Sequence, residues 1–220
     1  MTRKSALIAG STGLIGSELL QDLLEGKEYD KVVAIVRRPL GIQHPKLVEK
    51  IVDFDKLGEY NDIFAVDDVF CCLGTTIKKA KTKEAMWKID VDYPVAIAKL
   101  ASSKGAKKFL LVSSMNADPN SPIFYSKMKG MLEAEIKTIP FESVAIFRPS
   151  LLLGERQEFR LGERTAATIF TKVPFLFAGP FKKYKAIEGI TVASAMYKAA
   201  QLAKSGITVY PSEQIQELGS

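Results

Sequence analysis

KSALIAGSTGLIGSELLQDLLEG, residues 4–26, sets the reading of the whole chain. Its apolar run from Ala6 to Ala9 is too short for a helix and ends at a glycine, so it reads as a strand buried on both faces. Gly10, Gly13 and Gly16 follow at once, with Ser11, Thr12, Leu14 and Ile15 between them. Leu14, Ile15, Leu19, Leu20, Leu23 and Leu24 then recur at helical spacing, and Gly26 stands where such a helix would stop. A strand, a glycine turn and a helix, in that order, offer a pyrophosphate bare backbone at a helix N-terminus, where free N–H groups and the dipole favour negative charge. The glycines serve the turn, the close approach and the packing of helix on strand. The same string also suits a tight turn without a ligand, and the stretches that follow decide between the two.

The chain has 220 residues, enough for one large domain that buries a core without disulfides. No signal-like run opens it and no segment approaches membrane-spanning length, so the sequence reads as cytoplasmic, with no membrane partner. Cys71 and Cys72 lie side by side in a strand-like run, a poor geometry for an ordinary disulfide and not a metal-ligand spacing; they read as reduced core residues. The net charge of +6 is carried by dispersed lysines, which suits a solvated surface and an anionic cofactor better than a nucleic acid. His44 is the only histidine and lies in a loop-like stretch, which argues against a histidine base or a histidine-rich metal site.

After the first helix, KVVAIV (31–36) reads as a second buried strand and ends in Arg37 and Arg38. An acidic residue at this point accepts from a ribose 2′-hydroxyl, whereas arginine accommodates a 2′-phosphate. Two arginines and no acid argue for NADP(H) over NAD(H), since guanidinium pairs with phosphate in a bidentate way. One of the two also reads naturally as a surface strand cap. Residues 46–52 supply a third strand with Asp53 and Phe54 at its end, where an adenine edge and face are met. DDVFCCL (67–73) gives a fourth strand that stops at Leu73, with Gly74 placed to let a cofactor pass closely and Thr75 and Thr76 either beside it or plain turn formers. Residues 82–104 form a long helix that Pro94 bends or breaks. KKFLLV (107–112) is a fifth strand ending in Ser113 and Ser114. Strand and helix alternate throughout, the pattern of a parallel, doubly wound sheet whose ligands bind outside the carboxyl ends of the strands.

Ser121 and Pro122 read as the N-cap and first position of a helix that carries Tyr125 and, four residues on, Lys129. That spacing stacks the two side chains on one face. A tyrosine with its usual pKa of about 10 is a poor proton-transfer group at neutral pH, and a neighbouring cation favours its phenolate. Ser114, at the end of the neighbouring strand, is placed to donate to a substrate carbonyl oxygen, although the spacing leaves Ser113 as an alternative. Taken alone, Tyr-x-x-x-Lys suits any amphipathic helix; the serine and the glycine turn give it meaning.

The assembly of GSTGLIG, VSSMNAD, YSKMK and FRPSLLLGERQEFRLGE resembles the short-chain dehydrogenase/reductase superfamily, and within it the atypical branch related to Tat-interactive and bacterial epimerase-like proteins. The resemblance runs from about Lys4 to the C-terminus. It implies that Gly10, Gly13 and Gly16 hold a pyrophosphate, Arg37 or Arg38 a 2′-phosphate, and Gly74 the body of the cofactor. It further implies Ser114 as the carbonyl-orienting residue, Tyr125 as proton donor or acceptor, Lys129 on the nicotinamide ribose and Pro149 near the carboxamide. Many relatives carry asparagine where this chain has Asp90, which departs from their proton relay.

Beyond Ser150 the alternation loosens. Residues 151–220 are expected to contribute the substrate side of a single NAD(P)-binding domain spanning 1–220, with Phe175, Leu176 and Phe177 lining an apolar pocket, meeting a second copy, or simply filling core. The expected fold is therefore α/β, a Rossmann-type doubly wound parallel sheet with a small C-terminal substrate-side region. The expected activity is NADP-dependent hydride exchange with a small-molecule carbonyl or alcohol. An NADPH-binding regulatory protein read by a protein partner is the alternative, and a homodimer is compatible with either.

Overall fold

The computed structural model describes residues 4–153 and 186–220, so residues 175–177 lie outside the described residues. Nine strands follow one another in the described chain. They are β1 (Lys4–Ala9), β2 (Tyr29–Val36), β3 (Leu47–Ile51), β4 (Asp68–Cys71), β5 (Lys108–Val112), β6 (Ser143–Arg148), β7 (Leu152–Leu153), β8 (Ile187–Glu188) and β9 (Gly206–Pro211). Seven of them form one sheet in the order β3-β2-β1-β4-β5-β6-β9, parallel at every pairing. The two-residue strands β7 and β8 pair separately.

The sheet sorts its side chains by the two-residue period of a strand. Leu7, Ala9, Val33, Ile35, Val69, Cys71, Phe109 and Leu111 fall in one buried layer, and Ala6, Ile8, Val32, Ala34, Phe70 and Leu110 in the other. Helices α1 (Leu14–Glu25) and α6 (Gly189–Gln201) cover the second layer with Leu19, Leu23, Val192 and Met196. The first layer is covered by a tightly wound segment (Phe54–Phe64) and by α4 (Tyr93–Ser103) and α5 (Phe124–Lys137). Two short helices, α2 (Ile77–Ala80) and α3 (Lys83–Trp87), precede α4, and α7 (Ser212–Gly219) closes the chain. The fold is the doubly wound α/β arrangement that strand and helix alternation foretold. The C-terminal part is more integral than expected, since β9 completes the sheet and α6 builds half of its cover.

Two helix boundaries differ from the sequence reading. The helix expected over 82–104 is α3 and α4 joined by a wide turn at Lys88–Asp92, in which the Tyr93 N–H donates to the Lys88 carbonyl five residues back. Pro94 explains the widening, because it has no N–H for the carbonyl of Asp90 and its ring crowds that carbonyl. The widened turn leaves Asp90 and Val91 both buried. The helix expected to start at Ser121 starts at Phe124, with Ile123 at its N-cap. The Ser121 hydroxyl accepts the Ile123 N–H (3.2 Å) and the Asp118 carbonyl accepts the Ser121 N–H (3.1 Å), so this serine makes a turn of its own before the helix begins.

Strand order fixes where a ligand meets the sheet. The chain runs from β1 outward to β2 and β3, then crosses back to place β4 on the other side of β1, so the switch point lies between β1 and β4. Gly10 leaves β1 with φ +88°, a conformation that side chains rarely adopt, and a Cβ there would stand 2.6 Å from the Cys72 carbonyl carbon. At Gly16 a Cβ would overlap the Gly10 carbonyl oxygen. Helix α5 is seated with equal closeness: a Cβ on Gly130 would overlap the backbone of Asp118 and Pro119. Neither backbone has a flexible end to move aside, so Gly130→Ala is expected to cost about 2–3 kcal/mol, read as a lower urea midpoint with little change in slope.

Candidate active site

A cleft of about 780 Å³ opens at the switch point. Its floor comes from the turn into α1 (Thr12 to Ile15) and from the chain leaving β4 (Cys72 to Thr76). Its far wall is Ser113 at the end of β5 with Tyr125 and Lys129 on α5, and its near rim is Leu152, Leu153 and Glu188 to Ile190. Residues from both described parts of the chain therefore meet in one cavity.

The turn fits a dinucleotide's pyrophosphate on three counts. Gly13 is the N-cap of α1 and, having no side chain, leaves the helix start without a side-chain cap. Gly10 and Gly16 keep the backbone bare where it passes closest to its neighbours. The Ser11 hydroxyl is buried and has no hydrogen-bond partner among the described residues. An unpartnered buried hydroxyl is costly, and an anion above the helix start would satisfy it.

Tyr125 and Lys129 sit one helical turn apart and both line the cleft, as their spacing requires. Lys129 does not stand as an isolated cation. Its Nζ is 2.9 Å from Oδ1 of Asp90, and the two side chains are only 3% and 1% exposed. Asp90 is itself held by the Thr75 N–H, which donates to Oδ2 at 2.8 Å. Burial alone would push the Lys129 ammonium down, but the attraction of Asp90, with smaller contributions from Tyr125 and Cys71, raises it above its usual value. The cation beside Tyr125 is thus one half of a buried ion pair.

The two serines after β5 have different surroundings. Ser113 is buried and its hydroxyl donates to Oε1 of Glu133 at 2.6 Å. Ser114 is half-buried in the following turn, and its carbonyl accepts the Ala117 N–H. Glu133 also receives Arg148 through Nε (2.8 Å) and Nη2 (2.7 Å), a bidentate pairing, and Lys137 at 3.3 Å. This network ties α5 to the ends of β5 and β6. Pro149 is buried just beyond it, and its carbonyl accepts the Met115 N–H at 3.1 Å.

Of the residues singled out from sequence, Thr12, Gly13, Leu14, Ile15, Leu73, Gly74, Thr75, Tyr125 and Lys129 line the cleft together. Gly10, Ser11 and Gly16 belong to the same turn and helix start without lining the cleft. Arg37 and Arg38 are exposed just past β2; the Tyr93 hydroxyl nearby is pushed up to about 12 by burial and by its hydrogen bond to Asp55, which Arg37 offsets only in small part. Asp53 caps the segment after β3, its carboxylate accepting the Asp55 N–H at 3.0 Å, and Phe54 is packed against Tyr93 with ring centres 5.3 Å apart. Arg37, Arg38, Asp53, Phe54, Ser114 and Pro149 are not part of the lining. Sequence reasoning missed Glu133 and Arg148. The signal was available, since Tyr125, Lys129 and Glu133 form one polar stripe at four-residue spacing on a helix whose neighbouring positions Met128, Leu132 and Ile136 are core.

The sequence from residue 6 to residue 216 matches the NAD dependent epimerase/dehydratase family. Protein HTATIP2 of Rattus norvegicus is 38% identical over 200 residues, covering 89% of this chain and 81% of the relative. Protein FMP52 of Eremothecium gossypii, named as mitochondrial, is 35% identical over 167 residues, covering 76% of this chain and 74% of the relative. Among solved structures, MoeE5 in complex with UDP-glucuronic acid and NAD superimposes with a TM-score of 0.72 at 19% identity, over 93% of this chain and 75% of that one. The mitochondrial relatives overturn the cytoplasmic location expected from the sequence.

Glu133 gives the site a measurable acid limb. Burial would raise its carboxyl, but hydrogen bonds from Arg148 and Ser113 outweigh that and hold it below its usual 4.5. A carboxyl depressed on folding adds stability that is complete above its unfolded value and is lost as pH falls through the folded one. Glu133→Gln is therefore expected to lower the melting temperature at pH 7. It should also flatten the loss of stability as pH falls below about 4.5, as followed by thermal denaturation across pH.

Proposed function

Because the chain belongs to the NAD dependent epimerase/dehydratase family, we propose that it is an NADP(H)-dependent oxidoreductase that exchanges hydride with a small carbonyl or alcohol substrate. One observation carries the reading: the uncapped start of α1 and the Tyr125–Lys129 step of α5 face the same cleft across the end of β4. The cofactor supplies the hydride when bound. Binding, orientation and proton transfer belong to the chain's own backbone and side chains.

In this reading Gly13 and the first N–H groups of α1 receive the pyrophosphate, and the Ser11 hydroxyl gains the partner it lacks within the described residues. Arg37 and Arg38, exposed beyond β2, receive the 2′-phosphate at the point where an acidic side chain would instead accept from a ribose 2′-hydroxyl. The Tyr125 hydroxyl passes a proton to or from the substrate oxygen. Lys129 holds the nicotinamide ribose and presents its charge to Tyr125 from the same helix face. Of the two serines Ser113 lines the cleft and Ser114 does not, so Ser113 is the hydroxyl that orients the substrate oxygen, its proton turning from Glu133 to that oxygen. Leu152, Leu153 and Ile190 at the rim suit a substrate with an apolar portion.

Fluorescence titration with NADPH and NADH tests the cofactor half. The wild-type chain is expected to bind NADPH at least about tenfold more tightly than NADH, a difference of about 1.4 kcal/mol, and R37A/R38A is expected to lose that preference while still binding both. Equal binding in the wild type would place the 2′-phosphate elsewhere, and no binding of either nucleotide would end the oxidoreductase reading. For the chemistry, Tyr125→Phe is expected to reduce NADPH consumption with a panel of aldehydes and ketones by about 10²–10⁴-fold while leaving NADPH affinity nearly unchanged.

A further inference from the structure

We infer that Asp90 is a positioning residue whose carboxylate fixes the Lys129 ammonium at one point of the cleft, so that the Asp90–Lys129 pair, and not the lysine alone, is what a bound dinucleotide meets. Its consequence for binding rests on the cofactor reading above; the pair itself does not.

Three observations support it. Lys129 and Asp90 are each almost wholly buried and 2.9 Å apart, a separation at which neither charge is tolerated in that setting without the other. Asp90 is also the only link among these residues between three separate elements. Its Oδ2 takes the N–H of Thr75 in the loop after β4, its Oδ1 faces Lys129 on α5, and its own backbone sits in the wide turn before α4. Finally, that wide turn has a cause of its own in Pro94, so the inward aim of Asp90 is built into the backbone and does not depend on the lysine to attract it.

Among the described residues, three groups act on the Lys129 charge from three elements. Asp90 faces it from the wide turn, Cys71 from the end of β4, and Tyr125 from one turn earlier on α5. Glu133, one turn later on α5, is occupied by Arg148, Ser113 and Lys137. Asp90 is therefore the carboxylate that offsets the burial of Lys129. Removing that carboxylate leaves burial as the main influence, and burial favours the neutral amine. An amine that has lost its proton donates fewer hydrogen bonds and presents no charge to the ribose or to Tyr125.

The test uses Asp90→Asn, whose amide oxygen still accepts the Thr75 N–H. Lysine labelled with ¹³C at Cε reports protonation directly by NMR, and the signal absent from Lys129→Arg identifies Lys129. In the wild type that signal is expected to stay in its protonated position past the pH at which ordinary lysines titrate. In D90N it is expected to titrate at least about two units lower than in the wild type. NADPH affinity gives the second readout. The ratio of D90N to wild-type affinity is expected to be near one at about pH 6 and to fall roughly tenfold by about pH 9, whereas a merely structural defect would lower it equally at both.

A Lys129 signal that titrates alike in D90N and wild type overturns the inference, as does a wild-type signal that titrates at or below the ordinary lysine range. If D90N fails to fold while D90N/K129M folds, the uncompensated lysine is what the interior rejects, and the inference is supported. If NADPH does not bind the wild-type chain, the cofactor reading fails, and the NMR titration still decides the role of the pair.

Discussion

The close passage of the chain leaving β1 against the chain leaving β4 is the constraint on which the rest of this molecule depends. Gly10 and Gly16 have no room for a side chain, because the Cys72 carbonyl and the Gly10 carbonyl already occupy that space. The contact brings the start of α1 to the carboxyl edge of the sheet with its first N–H groups uncapped. It also sets the loop from Leu73 to Thr75 directly beside that helix start. Sheet order supplies the crevice, since β1 and β4 are adjacent in space although two strands separate them in sequence.

Charge is then placed into that crevice from the opposite wall. Helix α5 carries a polar stripe, Tyr125, Lys129 and Glu133, across a face that is otherwise core. Each member beyond the tyrosine is buried and has a partner of opposite sign: buried Asp90 for Lys129, half-buried Arg148 for Glu133. Such pairs add little net stability over apolar residues of the same shape, but each fixes the orientation of its helix strictly, because an unmatched partner would be left as a buried charge. Gly130 lets the same helix lie directly on the Asp118–Pro119 backbone. The position of Tyr125 in the cleft is thus determined by contacts on both sides of its helix.

Much of this was legible in the sequence. The apolar runs of β1, β2, β4 and β5, the glycine turn and the four-residue step from Tyr125 to Lys129 all follow from local pattern, and they foretold the parallel sheet and the edge at which the cleft opens. The start of α5 was misread because Ser121-Pro122 has the chemistry of a helix opening, yet Ser121 spends its hydroxyl on a separate turn. The partners of the charged residues were not legible either. Asp90 lies in a helical stretch 39 residues before Lys129, and Arg148 lies 15 residues after Glu133, at the end of strand β6. Long-range pairing of this kind leaves no periodicity to read. The location was misjudged for another reason: that no helix among the described residues is long and apolar enough to cross a membrane says nothing of an organelle, and the relatives named as mitochondrial correct that reading.

In the proposed function the start of α1 and the Asp90–Lys129 pair form the two walls of one nicotinamide-dinucleotide site. Amide hydrogen exchange with and without saturating NADPH tests it most directly, since exchange reports ordering residue by residue. Protection is expected at Gly13 to Gly16 and at Gly74 and Thr75 together, with the outer faces of α4 and α7 unchanged. Protection confined to other segments, or none at all under conditions where NADPH is bound, would contradict the account.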